Sequence, residues 1–344
     1  MNIAIDLNGG DFSPIEVIEG IRIAIKRGYV LPEQILAFGN QEAIDIVGKI
    51  KDQSLQRINL RLCSEVIGMS DKIAVIAKKR DSAIGQGITS LKTGESNVFI
   101  SAGNTAAVVS LSVMILGRIK RGILPAIAVI LPSKNGHCLV IDVGANANSD
   151  AHDLLNSAKM GSAYAKEILD VDRPKVGLLN IGEEIGKGHR DINSAYELLS
   201  ESDLNFIGYV EGNDIFGGTV DVAVTDGFTG NIILKSSEGL ARMILDLVRQ
   251  ELKNNKLFYV ALPFLICAMP FLYPILKSLK IKLDYDEYGG ALLLGVPGNI
   301  IIAHGHAKRR TIAKAIGAAV READLGITNL ILNELLDNTT TPDA

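Results

Sequence analysis

The stretch Val98-Phe-Ile-Ser-Ala-Gly-Asn-Thr105 runs from an apolar, strand-like segment directly into a loop of small and polar residues. The same change recurs in three later segments, each with an Asn, Asp or Glu in its loop. These segments are Leu139-Val-Ile-Asp-Val-Gly-Ala-Asn146, Val176-Gly-Leu-Leu-Asn-Ile-Gly-Glu-Glu184 and Val220-Asp-Val-Ala-Val-Thr-Asp-Gly-Phe-Thr-Gly-Asn231. Continuous apolar runs are typical of strands that are covered on both faces, as in parallel sheets. The sequence therefore predicts an α/β fold built on a mainly parallel sheet.

The four loops also indicate where a ligand would bind. In an open parallel sheet, ligands bind beyond the carboxyl ends of the strands, so we expect the loops to converge at one edge and line one cleft. Glycine lets backbone N–H groups approach a ligand closely, and such donors suit an anion. The pattern predicts an enzyme with a site for a small anion.

Composition sets the broad class of the protein. The chain has 344 residues, 47% of them hydrophobic and 22% charged, which allows a large core in one α/β domain or two lobes. We assign residues 1–337 to a single catalytic α/β domain and 338–344 to a disordered tail. The net charge is -4, whereas a general nucleic-acid binder is expected to carry a basic surface, so the composition does not indicate nucleic-acid binding. Cys63, Cys138 and Cys267 are too widely spaced to indicate a disulfide framework or a zinc site, and no export signal is visible, so we expect a cytoplasmic protein.

Strand and helix patterns alternate in βαβα order at the start of the chain. Ser13-Pro14 predicts a helix start with Ser as N-cap and Pro in the first turn. Strands are expected at residues 2–6, 34–38 and 58–63, and helices at 15–27, 70–80, 103–116, 161–169 and 193–199.

The stretch from Leu257 to Leu276 has no charged residue, and lysines flank it on both sides. It is long enough to span a bilayer, but Pro263, Pro270 and Pro274 would each remove a helix hydrogen bond, which is costly in lipid. We therefore expect residues 250–283 to form a hydrophobic helical hairpin that lies on a membrane or packs at a subunit interface. A buried helix pair within a dimer is the plainer alternative.

Several common catalytic motifs are absent from the sequence. There is no GxxxxGK[ST] phosphate loop and no G-x-S-x-G elbow, so nucleotide binding and a serine nucleophile are not indicated. Glu183 and Glu184 have no partner at metal-ligand spacing, and the pair His304 and His306 alone seldom makes a site. We expect no metal and no cofactor.

Taken in order along the chain, the loop motifs resemble the PlsX family of acyl-acyl-carrier-protein:phosphate acyltransferases. The resemblance covers residues 1 to about 325. It is carried by Asp6-Leu-Asn-Gly-Gly-Asp11, Ile100-Ser-Ala-Gly-Asn-Thr105, Asp142-Val-Gly-Ala-Asn146, Gly177-Leu-Leu-Asn-Ile-Gly-Glu-Glu184, Asp226-Gly-Phe-Thr-Gly-Asn231 with Lys235, Asp284-Tyr-x-Glu-Tyr-Gly-Gly290 and His304-Gly305. The rim of the pattern departs from the family at Asn148, Asp150, Asn213 and His306.

The resemblance implies transfer of a fatty acyl group from acyl carrier protein to inorganic phosphate. The acyl phosphate product would supply a membrane glycerol-3-phosphate acyltransferase in phospholipid synthesis. The family also implies a Rossmann-like three-layer fold similar to phosphotransacetylases and to isocitrate and isopropylmalate dehydrogenases. It further implies a homodimer that associates peripherally with the inner face of the cell membrane, here through Leu257 to Leu276.

Transfer to phosphate needs donors for the phosphate and for the developing oxyanion, because positioning and electrostatics carry most of such a reaction. We predict that Lys187 holds phosphate charge, that Asn104 and Asn231 donate to it, and that His304 relays a proton or orients phosphate. Further predicted donors are the N–H groups of Gly103, Thr105, Gly227 and Gly230. The predicted substrate-binding wall also includes Asp6, Gly10, Asp11, Asn146, Asn180, Glu183, Gly188, Asp226 and Thr229.

Each of these residues also has a purely structural interpretation. Asn beside Gly often just tolerates a left-handed turn, Asp at a strand end often caps a helix, and Lys187 alone would be a solvated loop cation.

Two other functions stay open on the sequence. One is a relative of phosphotransacetylases or metal-dependent dehydrogenases that uses coenzyme A thioesters or nicotinamide. The other is a non-catalytic membrane scaffold. Acyl carrier protein is acidic, so Lys308-Arg-Arg310 or the lysines around the hairpin are candidates for its docking.

Overall fold

The computed structural model describes residues 1–254, 268–274 and 290–337. Within them, eleven strands form one sheet in the order β3-β2-β1-β4-β11-β10-β5-β6-β9-β7-β8. The strands are β1 (Ile3–Asp6), β2 (Ile35–Gly39), β3 (Asn59–Leu62), β4 (Val98–Ser101), β5 (Ala126–Ser133), β6 (Gly136–Ile141), β7 (Val176–Leu179), β8 (Phe206–Val210), β9 (Val222–Val224), β10 (Ala291–Leu294) and β11 (Asn299–Ile302). The four segments predicted as strands that end in loops, at 98–105, 139–146, 176–184 and 220–231, are strands followed by loops.

Helices connect the strands and cover the sheet. They are α1 (Ile15–Lys26), α2 (Gln41–Lys49), α3 (Ile73–Ile76), α4 (Ala83–Lys92), α5 (Thr105–Ile115), α6 (Ala151–Ile168), α7 (Arg190–Ser200), α8 (Gly212–Gly217), α9 (Gly227–Asn254), α10 (Arg309–Leu325) and α11 (Ile327–Asp337). Short 3-10 helices lie at Pro32–Gln34 and Leu55–Arg57.

Two hydrophobic clusters cover the two faces of the sheet. Successive residues of a strand point to opposite faces, so Ile3 and Ile5 belong to one cluster and Ala4 to the other. The first cluster includes residues of α1, α6, α7, α10 and α11, and the second includes residues of α4, α5, α8 and α9. Burial on both faces explains why the strands read as continuous apolar runs. The predicted three-layer α/β fold is confirmed.

The direction of the strands changes in the middle of the sheet. β1 to β4 and β11 run parallel to one another, and so do β6, β9, β7 and β8. Between them, β10 is antiparallel to β11 and to β5, and β5 is antiparallel to β6. The carboxyl ends of the two parallel sets therefore point to opposite edges. Our expectation that all four loops share one edge was wrong, because three successive antiparallel pairings, an odd number, reverse the second set.

Several helix boundaries differ from the sequence predictions. Of residues 70–80, only Ile73–Ile76 is helical, since the side chain of Asp71 accepts a hydrogen bond from Gly68 N and the Lys79 ammonium bridges Asp71 and the carbonyl of Val66. Ser13 does not cap α1, because its hydroxyl donates to carbonyl oxygens at 8 and 10. α6 and α7 begin earlier than expected, and the carboxylate of Asp150 caps α6 by accepting from Asp153 N at 2.9 Å.

The predicted hairpin at 250–283 and the tail at 338–344 lie largely outside the described residues. Within the hairpin, residues 251–254 end α9 and residues 268–274 are helical, with Phe271 and Tyr273 strongly exposed. Among the described parts of the chain, no helix is both long and apolar enough to cross a membrane.

Candidate active site

The predicted site residues fall into two groups of loops, one at each edge of the sheet. The first group follows β1, β4 and β11. Its centre is Asp6, which is buried and accepts hydrogen bonds from Ser101 Oγ at 2.7 Å and from Asn8 N at 2.9 Å. Burial raises the pKa of Asp6 to about 6, although these hydrogen bonds oppose the shift. Asp6 therefore connects the end of β1 to the end of β4. Through this hydrogen bond Ser101 is also part of the site, although the sequence did not indicate it.

The loop after β1 also contacts the loop after β11. Asp11 N donates to the Gly305 carbonyl at 2.8 Å, and the Asp11 carboxylate lies 2.9 Å from His306 Nδ1. Gly10 has a positive φ of 98°, a conformation that favours glycine and lets this contact form. The predicted residues Gly10 and Asp11 are thus brought to the same place as His304 and its neighbours.

Asn104 and Gly103 form hydrogen bonds with other residues of the protein. The Asn104 side chain caps α5 by accepting from Ala107 N at 3.1 Å and donates to the Met69 carbonyl at 3.0 Å. Gly103 N donates to Ser101 Oγ at 3.0 Å. Thr105 begins α5 and is exposed. This geometry supports the structural interpretation of Asn104 and Gly103, and their contact with a ligand stays a prediction.

The second group follows β6, β9 and β7, which are neighbours in the sheet. Asp142 has a positive φ of 50° and is buried. Its carboxylate accepts from the backbone N–H groups of residues 144, 145 and 146 and from Asn146 Nδ2. Burial raises the pKa of Asp142 and these donors oppose it. Asn146 Nδ2 also donates to the Pro125 carbonyl at 2.7 Å, so the predicted Asn146 holds this loop against β5.

The start of α9 packs closely on the β6 loop. Gly227 N donates to the Asn146 carbonyl at 2.7 Å, and a Cβ at Gly227 would lie 2.5 Å from that oxygen. A Cβ at Gly230 would overlap the carbonyl oxygen of Asp142. Both glycines are therefore required for close approach, and Gly227 has its N–H engaged.

Asp226 and Asn231 differ in how they use their side chains. The Asp226 carboxylate accepts from Thr229 N at 2.7 Å and from Thr229 Oγ1 at 3.1 Å, so both residues act in capping α9. Asn231 is exposed, and its amide makes no hydrogen bond within the part of the chain that the structure describes. It faces the β6 loop, since a Cβ at Gly144 would lie 3.9 Å from its side chain. Asn231 is thus available to a ligand.

The loop after β7 carries Lys187. Asn180 Nδ2 holds this loop by donating to the carbonyls of Gly182 at 3.2 Å and Lys187 at 3.0 Å. The Lys187 ammonium pairs with Glu184 at 2.6 Å, but both side chains are exposed. Glu183 is exposed and Gly188 has a positive φ of 92°. An exposed ion pair contributes little to stability, so Lys187 can exchange its partner for a ligand.

Helix α9 links the two groups. Asn231 lies at the β6 loop, and Lys235, one turn later, reaches the first group: its Nζ is 2.9 Å from His304 Nε2. Glu238 accepts from both, with Oε2 3.1 Å from Lys235 Nζ and 3.3 Å from His304 Nε2. Burial alone would raise the pKa of Glu238, but hydrogen bonds from His304 and Lys235 outweigh it and set the pKa at about 2. The i, i+4, i+7 spacing from Asn231 was the signal that could have placed Lys235 and Glu238 in the site.

The charges of these loops suit an anion better than a metal ion. The side chains of Lys187 and Lys235, at the two ends of the arrangement, are 47% and 52% exposed. Among the described residues, no three His, Cys, Asp or Glu side chains are grouped so as to hold a metal ion. A cavity of about 210 Å³ lies elsewhere, beside β2 and α4, and is lined by residues such as Phe38, Arg61 and Thr93.

Comparisons with known proteins agree with this architecture. The chain is 40% identical over 338 residues to a phosphate acyltransferase of Aliarcobacter butzleri, covering 98% of each chain. A phosphotransacetylase from Streptococcus pyogenes has a similar structure, with a TM-score of 0.58 at 16% identity and 94% of both chains covered. A 4-hydroxythreonine-4-phosphate dehydrogenase from Klebsiella pneumoniae gives a TM-score of 0.54 at 12% identity, covering 94% of this chain and 99% of that one. The two structures establish similarity of fold alone.

A family model described as fatty acid synthesis protein matches residues 1–330. This match and the 40% identity over nearly the whole chain confirm the resemblance that the ordered loop motifs predicted. The chain therefore belongs to the fatty acid synthesis protein family, which is the PlsX family of the sequence prediction.

Proposed function

We propose that this protein is an acyltransferase that moves a fatty acyl group from the thioester of acyl carrier protein to inorganic phosphate, for phospholipid synthesis. The observation that carries the proposal is the 40% identity, over 98% of the chain, to a protein named phosphate acyltransferase. A phosphate oxygen attacks the thioester carbonyl carbon, the C–S bond breaks, and the carrier leaves as a thiol. The products are acyl phosphate and free carrier protein.

The chemistry asks little of the protein beyond positioning and charge. Phosphate is already a competent nucleophile and a thiolate leaves readily, so no covalent intermediate on the enzyme is needed. We assign phosphate binding to Lys187 and Asn231, because the loop after β7 and the first turns of α9 follow neighbouring parallel strands at the same edge. The exposed ammonium of Lys187 would neutralise phosphate charge, and the Asn231 amide would donate to a phosphate or carbonyl oxygen.

The carrier protein and the membrane are part of the proposal. Arg309 is neutralised by Glu16, whereas Lys308 and Arg310 are exposed beside the His304 loop and suit an acidic carrier. The exposed apolar residues of α9 support a homodimer, and the apolar stretch from Leu257 to Leu276 supports attachment to the inner face of the cell membrane. Acyl phosphate would pass there to a glycerol-3-phosphate acyltransferase.

The direct test incubates the purified protein with acyl-acyl carrier protein and measures free carrier thiol and acyl phosphate. We expect release that depends on phosphate and needs no nucleotide or added metal. Absence of phosphate-dependent release would reject the proposal. Greater turnover with a coenzyme A thioester in place of the carrier would favour a phosphotransacetylase-like activity.

The Lys187→Ala variant tests the assignment within the site. We expect it to fold normally and to lose about 100-fold in turnover, the scale for removing one essential charge-stabilising donor. Lys51→Ala is the matched control, because Lys51 is also an exposed loop lysine and lies between α2 and β3, the strand at the end of the sheet away from β7. A fully active Lys187→Ala enzyme would remove Lys187 from the phosphate site.

A further inference from the structure

We infer that Lys235 and His304 form a second anion-binding subsite that contacts the phosphate of the transfer reaction. This inference rests on the proposed function; it adds Lys235 to the binding residues and gives the predicted residue His304 a defined contact. It starts from three atoms that lie within 3.3 Å of one another: Lys235 Nζ, His304 Nε2 and Glu238 Oε2. Lys235 and Glu238 come from α9, and His304 comes from the loop after β11.

The backbone decides which nitrogen of His304 carries the proton. His306 N donates to His304 Nδ1 at 3.0 Å, so Nδ1 must present its lone pair. In the neutral imidazole the other nitrogen, Nε2, then carries the hydrogen and donates to Glu238 Oε2 at 3.3 Å. A neutral ring has a single accepting nitrogen, so His304 cannot also accept from Lys235. The His304 N–H and the Lys235 ammonium therefore meet as two donors.

Glu238 is the acceptor that both donors share. Its side chain is only 10% exposed, and Oε2 serves Lys235 and His304 together. The other oxygen, Oε1, is buried and has no hydrogen-bond partner among the described residues. One carboxylate oxygen cannot use all the hydrogens that the ammonium and the imidazole offer. The donors that remain point to a further acceptor with several oxygens, which is what a phosphate provides.

The position of Lys235 favours a ligand over a purely structural ion pair. Its side chain is 52% exposed, so the ammonium can turn toward solvent while Glu238 stays buried behind it. Lys235 also lies one helical turn from Asn231, whose amide is free among the described residues, and i, i+4 residues share a helix face. A phosphate on this face of α9 could contact Asn231 and Lys235 together. This explains how loops at opposite edges of the sheet can act on one substrate.

The test is direct titration of the protein with inorganic phosphate, without an acyl donor, for Lys235→Met and His304→Gln. Hydrogen bonds to charged groups contribute about 1.5–3 kcal/mol, so each variant should raise the dissociation constant about 10- to 100-fold. Lys235→Arg should retain most of the binding. Arg249→Met is the matched control, because Arg249 makes the same kind of i, i+3 ion pair on the same helix, with Asp246 at 3.1 Å.

Unchanged phosphate binding in either folded variant would overturn the inference. Circular dichroism and the melting temperature identify a variant that fails to fold, and the other variant, on a different element, then decides the outcome. In steady state, the KM for phosphate should rise while the KM for acyl-acyl carrier protein stays unchanged. The titration needs no acyl transfer, so it separates the two proposals. If the wild type binds phosphate, the variants do not, and the wild type shows no transferase activity, the subsite is supported and only the proposed function is rejected.

Discussion

Gly230 shows how one residue can position the whole arrangement. It lies in the first turn of α9, where any Cβ would overlap the Asp142 carbonyl and lie 2.9 Å from Thr225 Cγ2. We predict that Gly230→Ala destabilises the protein by about 1–3 kcal/mol, the usual scale for overpacking a tight contact. It should also reduce turnover, because α9 carries Asn231 and Lys235. Thermal melting and the carrier-release assay check both effects.

Gly239 is the matched control for this prediction. It lies in the same helix, and a Cβ there would meet no atom within 4 Å. Alanine is favoured over glycine in a helix by about 1 kcal/mol, so Gly239→Ala should raise the melting temperature slightly. Equal stability of the two alanine variants would show that the packing of α9 on the β6 loop is looser than the structure indicates.

Glu322 gives the protein a pH-dependent stability. It is buried in α10, accepts from Tyr164 Oη at 3.3 Å, and burial raises its pKa to about 8 despite the opposing influence of Tyr164 and Arg321. In the unfolded chain the same carboxyl has its ordinary pKa, 4.5. Between these values the unfolded state loses this proton and the folded state keeps it. This group therefore lowers stability as pH rises from about 4.5 to about 8, by up to roughly 1.4 kcal/mol per unit.

We predict that Glu322→Gln removes this component of the pH dependence. The amide cannot ionise and still offers Tyr164 an acceptor oxygen. The variant should melt at a higher temperature than the wild type at pH 8, and the difference should shrink toward pH 5. Parallel melting curves for the two proteins across this range would contradict the assignment.

At the scale of elements, the sequence correctly predicted the strands whose positions follow from local hydrophobic pattern. The apolar runs that end in Gly and Asn gave β4, β6, β7 and β9, because residues buried on both faces must be apolar wherever the strand lies in the sheet. The predicted helix at residues 70–80 is mostly absent because the Lys79 ammonium binds the Val66 carbonyl and the Asn104 amide binds the Met69 carbonyl, 13 and 35 residues away. Spacing along the chain carries no information about such partners.

The candidate site shows the same division. Asn146 and Asn180 were found as polar loop residues, but the Asn146 amide binds the Pro125 carbonyl and the Asn180 amide binds the Lys187 carbonyl, and only the folded chain brings these carbonyls near. Glu238 was missed for the opposite reason, and Lys235 was noted only as part of the family motif and not as a site residue. Each is an ordinary charged residue on a helix, and its contact with His304 depends on where β11 inserts in the sheet.

For the whole molecule, the decisive feature is the reversal at β10 and β5. It results from three successive antiparallel pairings, β11 with β10, β10 with β5 and β5 with β6, of which only that of β10 with β5 joins strands far apart in sequence. Hydrophobic periodicity indicates that a strand exists and which face is buried, but not the direction of its neighbour. The reversal separates the two groups of loops, and α9 becomes the element that joins them.

The same helix presents an apolar stripe to the outside of the molecule. Leu240, Met243, Ile244, Leu247 and Val248 follow i, i+3, i+4, i+7, i+8 spacing, and each is at least 50% exposed. Such a stripe is costly to leave in water, and a two-fold dimer buries the same surface of both copies. We predict that it contacts a second copy of the chain. Ile244→Glu would place a charge in that contact, and at about 3 kcal/mol or more the dissociation constant should rise roughly 100-fold or more.

Size-exclusion chromatography with light scattering measures this effect as a change from dimer mass to monomer mass. Arg242→Glu is the control, because this substitution introduces the same glutamate side chain outside the stripe. Arg242 is exposed and lies on the opposite face of α9. Sedimentation with anionic lipid vesicles separates the alternative. If Ile244→Glu stays dimeric but no longer binds vesicles, the stripe contacts lipid and the dimer forms elsewhere. If the variant becomes monomeric and folded while Arg242→Glu does not, the outer half of α9 holds the dimer.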